Sequence, residues 1–185
     1  LRLAEHARLA ERVRVIAGAP PIGFSRPADG AGRLRDLTLP HDYLVMAGTQ
    51  GMRGHVKSDR LIDVIERLRL PTLFFAAGGG GRPGDTDIPV VSALDCTTFA
   101  AWARLSGRVP RIAVVDDNCF AGNAVIAGCA DLIVACDGSS LGMGGPAMIA
   151  GGGLGEVAAA DVGPLDVMTA NGVVDLAVER DDVDA

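Results

Sequence analysis

Two runs of this 185-residue chain carry backbone amides where chemistry could use them. The first is A-A-G-G-G-G-R-P-G-D, residues 76–85. Four consecutive glycines cannot serve helix or strand stability, because each loses more entropy on ordering than any other residue. They admit positive φ or the close approach of something to the backbone. The second run is C-F-A-G-N-A, residues 119–124. It opens a segment of small apolar residues, and a sharp turn there puts a helix N-terminus at a sheet edge. Unpaired N–H groups and the positive end of the helix dipole favour a developing negative charge at such a place. Taken alone, the Gly/Ala pattern fits close helix packing better than an anion site, so the rest of the chain must decide. If Gly79 and Gly80 of the first run and Gly122 and Asn123 of the second converge on one oxygen, they form an oxyanion hole. Loss of one such donor costs about 2–4 kcal/mol of barrier.

Other chemistries find less support. No G-x-x-x-x-G-K-S/T phosphate loop is present, and no two histidines stand at metal-ligand spacing. The glycine run does not open a helix, since Pro83 and Gly84 follow, so it is a poor dinucleotide fingerprint. Cys96, Cys119, Cys129 and Cys136 form no C-x-x-C pair and read as reduced, buried thiols rather than zinc ligands or disulfides. Cys119 alone stands at a helix start, where a thiolate is favoured, but His6, His41 and His55 all lie far back in the sequence.

Length and an apolar content near one half suit one domain with a real core. A net charge of −6 and the lack of a basic run interleaved with aromatics exclude a nucleic-acid surface. Neither a membrane span nor a signal peptide is recognisable, so the expected location is cytoplasmic. The first residue is Leu, so the chain is expected to be a piece of a longer polypeptide.

The elements that must hold the amide runs follow from periodicity. Residues 112–115 form a short β-branched run of the buried-strand kind, 116–118 are turn formers, 120–129 a buried helix and 132–135 a returning strand. Residues 1–16 suit an amphipathic helix and 18–32 a Pro/Gly loop. Residues 43–47 read as a strand ending in the glycine turn G-T-Q-G-M-R-G-H, 57–70 as a helix stopped by Pro71, and 72–76 as a second buried strand. A helix over 96–105 capped by Gly107, a short segment over 139–142 and a glycine-dense loop over 143–155 come next. A helix over 162–170, a strand over 173–178 and a solvated acidic tail complete the chain. Strands alternating with helices imply an α/β fold with a largely parallel sheet, whose function sits at the carboxyl ends of the strands, where the glycine clusters fall.

At this level the chain resembles a known family. D-Y-L-V-M-A-G-T-Q-G, A-G-G-G-G-R-P-G, L-S-G-R-V-P followed by C-F-A-G-N-A, and L-G-M-G-G-P-A-M-I with G-P-L-D-V-M-T-A-N-G-V-V-D stand in the family's order. Residues 42–185 thereby resemble one half of the carboxyltransferase domain of biotin-dependent acetyl-CoA, propionyl-CoA and longer acyl-CoA carboxylases. The resemblance implies a crotonase/Clp-like spiral of ββα units. Residues 1–40 would be a helix and Pro/Gly-rich lead-in, and 41–185 the crotonase-fold half.

The implied reaction is carboxyl transfer from carboxybiotin to the α-carbon of an acyl-CoA, with backbone amides at Gly122 and Asn123 stabilising the thioester enolate. Many members carry a second glycine where Asn123 stands; the amide donor survives the change. Around the acyl-CoA the expected residues are Gly48, Gln50, Gly51, Met52 and Arg53 of the first glycine turn. Gly78, Gly81 and Arg82 of the second turn join them, with Ala121, Gly144 and Gly145. Arg53, Lys57 and Arg82 are the nearby cations, equally readable as surface charge or phosphate contacts. No metal is expected. The implied partners are a biotin carboxyl carrier, a biotin carboxylase, the second carboxyltransferase half and further copies in a homo-oligomer.

Enoyl-CoA hydratases and isomerases resemble the same helix and loop but use glutamates where Ala130 and Ala147 stand. Water addition needs a general acid and base. Carboxyl transfer does not need them if the freed biotin leaving group takes the α-proton. A Clp-type serine protease would need a serine in residues 119–124, and none is there. A non-catalytic assembly subunit of the same fold stays open, and acyl-CoA binding separates it from an enzyme.

Overall fold

A computed structural model of the chain describes residues 37–40, 46–81 and 96–180. The expected helix over 1–16, the loop over 18–32, residues 43–45 of the expected strand, Arg82 and residues 181–185 of the tail lie outside the described residues.

Short apolar runs make the main sheet: β1 (Leu37–Pro40), β2 (Thr72–Phe75), β3 (Arg111–Val115), β5 (Leu132–Cys136) and β7 (Leu176–Val178). The strand order is β1-β2-β3-β5-β7 and every pairing is parallel. Register aligns the strand ends, with Pro40 beside Phe75, Phe75 beside Val114 and Val115 beside Ala135. The chain therefore leaves each strand at the same edge, and the glycine turns gather there. A second, two-stranded parallel layer pairs β4 (Asn118–Phe120) with β6 (Ser140–Gly142). Isolated bridges from Gly78 to Cys119 and from Gln50 to Gly81 extend the same pattern into the earlier turns. Each unit thus runs from a main-sheet strand through a second-layer segment, and two of them go directly into a helix. This is the spiral of ββα units.

The helices close the core. Helix α1 (Met52–Leu68) buries His55, Leu61, Ile62 and Ile65, the stripe expected of a helix with one face on a sheet. Helix α2 (Thr98–Arg104) buries Thr98, Ala101 and Trp102. Trp102 packs its ring 6.0 Å from that of Phe74 and donates its indole N–H to Ile126 O at 2.9 Å. Helix α3 (Gly122–Gly128) buries Asn123, Ala124, Ile126 and Ala127. Ile65, Leu105, Val115 and Ala127 are fully enclosed, each large one contributing about 1.5–3 kcal/mol by leaving water. At the opposite edge from the glycine turns, the buried Arg111 guanidinium meets Asp131 at 2.8 Å and lies over the Trp102 ring. Helices α4 (Pro146–Gly151) and α5 (Leu165–Ala170) bury none of their own residues.

Several expected boundaries move. The strand expected over 43–47 is not one at its described end, where Met46–Gly48 is a 3-10 turn with Ala47 at φ 53. The first strand is β1, inside the residues assigned to the lead-in. Helix α1 begins five residues before the expected start, because Gly54 lies on an exposed face where a missing side chain costs little. Asn118 belongs to a strand rather than a turn, since its partner Ser140 arrives from elsewhere in the chain. The glycine-dense loop contains α4, started by Pro146 in the first turn, where its missing N–H costs nothing. Of the four thiols only Cys119 and Cys136 are buried; Cys96 is half-buried and Cys129 exposed.

Candidate active site

The first two glycine turns nest into each other. Gly78 has φ +91, and a Cβ there would lie 2.2 Å from Ala47 O. Gly48 has φ +65, and its Cβ would lie 2.6 Å from Ala77 O. Only glycine satisfies both demands at either position. Backbone hydrogen bonds fasten the pair: Gly79 N–H donates to Ala47 O at 3.1 Å, and Gln50 N–H to Gly80 O at 2.9 Å. On the other side Gly78 donates to Asn118 O at 2.6 Å and accepts from Phe120 N–H at 2.9 Å.

The second turn then abuts the opening of α3. A Cβ on Gly80 would lie 2.5 Å from Ala121 Cβ and 2.6 Å from Gly122 N. The two amide runs singled out in the sequence are therefore in van der Waals contact. Ala121 takes φ 50 and ψ −119, a region that a residue with a side chain enters only under strain, at about 1–3 kcal/mol. Its N–H is held by Gly142 O at 3.0 Å and its carbonyl by Val125 N–H at 2.9 Å. This kink sets the start of α3, and neither Gly122 N–H nor the buried Asn123 N–H is taken by an acceptor among the described residues.

The side chain of Asn123 is fully buried and ties its own turn to the two glycine turns. Its Nδ2 donates to Ala77 O at 2.7 Å and to Gly48 O at 3.1 Å, and its Oδ1 accepts from Gln50 Nε2 at 2.5 Å. The sequence reading valued Asn123 only for its backbone amide and gave Gln50 no partner. No local signal could have found a pairing that spans 73 residues.

Phe99 was also missed as a site residue. Its ring tip would lie 3.3 Å from a Cβ on Gly122, so it walls the turn from the α2 side. A buried relay fixes that wall. Thr98 donates its hydroxyl proton to Asp59 Oδ1 at 2.5 Å and so accepts from His55 Nδ1, 2.9 Å away, which ties α2 to α1.

The remaining expected residues surround this centre unevenly. Gly51 caps α1 and is buried, Met52 is half-buried in its first turn, and Arg53 and Lys57 are exposed. Gly81 is exposed and bridged to Gln50. Gly145 packs against the Phe120 ring, 3.2 Å from its would-be Cβ, whereas Gly144 meets only Met148. The third glycine cluster thus supports the turn from behind through Phe120 and the Ala121–Gly142 hydrogen bond. Cys119 lies in β4, and burial pushes its thiol up to about 12, which removes the thiolate a nucleophile requires.

A family model of the carboxyl transferase domain matches residues 30–185. The chain belongs to this family. The solved structure of a single-chain, multi-domain long-chain acyl-CoA carboxylase superposes on this carboxyl transferase domain with a TM-score of 0.79 and 46% identity, over 88% of this chain and 16% of that one. The methylmalonyl-CoA carboxyltransferase 12S subunit of Propionibacterium freudenreichii subsp. shermanii is 29% identical over 172 residues, covering 84% of this chain and 31% of that subunit. A transcarboxylase 12S structure, described as a hexamer, shares the fold with a TM-score of 0.69 at 24% identity, over 88% of this chain and 31% of that one. The mostly parallel sheet is that of the crotonase-fold carboxyltransferases. The chain spans between 26% and 47% of the length of the curated relatives it matches. Among the described residues no helix is long and apolar enough to cross a membrane.

Proposed function

We propose that this chain is the acyl-CoA half of a biotin-dependent carboxyltransferase and that the N–H groups of Gly122 and Asn123 stabilise the enolate of the acyl-CoA thioester. The observation that carries the reading is the pair of amides with no acceptor among the described residues, held in a strained turn pressed against Gly80. Such donors are set before the reaction and cost no reorganisation as charge moves onto the thioester oxygen. Carboxybiotin, when bound, would supply CO2 and its freed ureido nitrogen would take the α-proton, so that the enolate carbon held at this turn adds to that CO2. Phe99 and the glycine turns limit water at that oxygen, which strengthens both hydrogen bonds.

One set of enolate-stabilising amides fits one developing anion. Carboxyl transfer needs a second, for the ureido oxygen of biotin, and that site belongs to the second carboxyltransferase half. Biotin therefore fits at the open side of the turn rather than within this chain. The exposed side chains of Met143, Met148 and Leu154 are the surface that the second half covers. A biotin carrier, a biotin carboxylase component and further copies of the carboxyltransferase complete the assembly.

The test is turnover of acyl-CoA with carboxybiotin by the full-length protein. Gly122→Pro deletes one donor and is expected to abolish carboxylation while coenzyme A still binds. Wild-type turnover in that variant would refute the enolate assignment. A protein of this sequence that binds no acyl-CoA at all would instead be a non-catalytic assembly subunit.

A further inference from the structure

The orientation of the Asn123 amide is forced. Its Nδ2 lies within hydrogen-bond reach of two carbonyl oxygens, Ala77 O and Gly48 O, and only the NH2 end of an amide can satisfy two acceptors. Its Oδ1 therefore faces Gln50 and can only accept, so the Gln50 atom 2.5 Å away is the donor Nε2. That choice leaves Gln50 Oε1 buried without a hydrogen-bond partner, on the Gly122 side, 3.3 Å from where a Gly122 Cβ would stand. Gln50 is 4% exposed, so no bulk water compensates the oxygen. The strain at Ala121 sits beside it. Two local costs at one turn mean that the surrounding hydrogen bonds hold it against its own preference.

We propose that Gln50 and Asn123 form one positioning unit, an amide-to-amide brace that sets the turn 121–123 at the geometry an enolate oxygen requires. The proposal rests on the carboxyltransferase reading above and goes further by assigning the alignment of the backbone donors to two side chains. Asn123 reaches both nested glycine turns through Nδ2, and Gln50 holds the second of them through its own N–H to Gly80 O. Gly80 in turn touches Gly122 N. Loss of either amide releases the same closed circuit, so Asn123 acts twice: its backbone donates to the anion, and its side chain aims both donors.

The test uses the full-length protein and calorimetric titration with two probes, coenzyme A and an acyl-CoA analogue that carries a nitronate in place of the enolate. Gln50→Met keeps the volume without polar atoms, and Asn123→Gly keeps the backbone donor. Each is expected to weaken the nitronate probe at least about tenfold and to leave coenzyme A within about twofold, because misaligned donors cost anion binding and not ground-state binding. The double variant is expected to lose no more than the worse single one, the signature of a shared interaction. In turnover the loss should fall on kcat with KM nearly unchanged. A merely structural role would lower the melting temperature and leave the ratio of the two affinities alone. An unchanged ratio in Gln50→Met, which alone suffices if Asn123→Gly does not fold, overturns the brace, as do losses that multiply in the double variant. A wild-type protein that binds the nitronate no better than coenzyme A overturns the carboxyltransferase reading itself.

Discussion

Gly80 and Gly122 stand so close that a Cβ added to Gly80 would lie 2.6 Å from the Gly122 nitrogen. Backbone on both sides cannot yield as a side-chain tip would. Gly80→Ala must therefore push the turn 121–123 outward. We expect a stability loss of about 1–3 kcal/mol and a fall in kcat of roughly a hundredfold, read by thermal melting and steady-state carboxylation. A variant with normal melting and normal kcat would show that the two turns are not coupled.

Gly79 offers the contrasting case. Its Cβ would meet only the methyl group of Thr49, at 3.0 Å, and a side-chain methyl can give way. If Gly79 borders the acyl-CoA, Gly79→Val raises KM for acyl-CoA several-fold with a smaller effect on melting than Gly80→Ala. Equal affinity for acyl-CoA would move the ligand away from this turn.

The thiols separate by environment. Burial holds Cys119 as a thiol, pushed up to about 12 from its ordinary 9.0. Burial, with the Asp116 carboxylate second, does the same for Cys136. Below pH 9 the folded and unfolded chains both keep these protons, so the two thiols impose no pH dependence there. Above pH 9 the unfolded chain ionises while the folded one does not, so stability falls as pH rises toward 12. Alkaline denaturant titration reads this slope, and Cys119→Ala should reduce it. Iodoacetamide at pH 8 should label Cys129 and spare Cys119 and Cys136 until the protein unfolds.

Exposed Met148 and Leu154, 65% and 80% accessible, form the open apolar face beside the third glycine cluster. Met148→Glu with Leu154→Glu in the full-length protein should weaken the assembly, seen as a lower mass by light scattering, and reduce carboxylation in parallel. Residues 1–185 alone should bind acyl-CoA weakly at best and show no turnover. A monomeric fragment that carboxylates acyl-CoA would refute the need for the second half.

Local sequence determined a good deal of this molecule. The β-branched run at 112–115 and the stripe of Leu61, Ile62 and Ile65 report short-range physics and formed a strand and a helix there, whereas the helix expected to be capped by Gly107 ends at Arg104 with Leu105 as its cap. The glycine run announced either positive φ or the close approach of something to the backbone, and Gly78 shows both. It did not say what approaches. Where the local signal misled, a neighbour distant in the chain decided: Asn118 looks like a turn residue and is a strand because Ser140 pairs with it. The meeting of Gly80 with Gly122, the wall made by Phe99 and the Gln50–Asn123 pair were decided only by tertiary structure. Their physical cause is the parallel register of β1, β2 and β3, which brings three separate turns to one edge and so fixes contacts that no window of sequence contains.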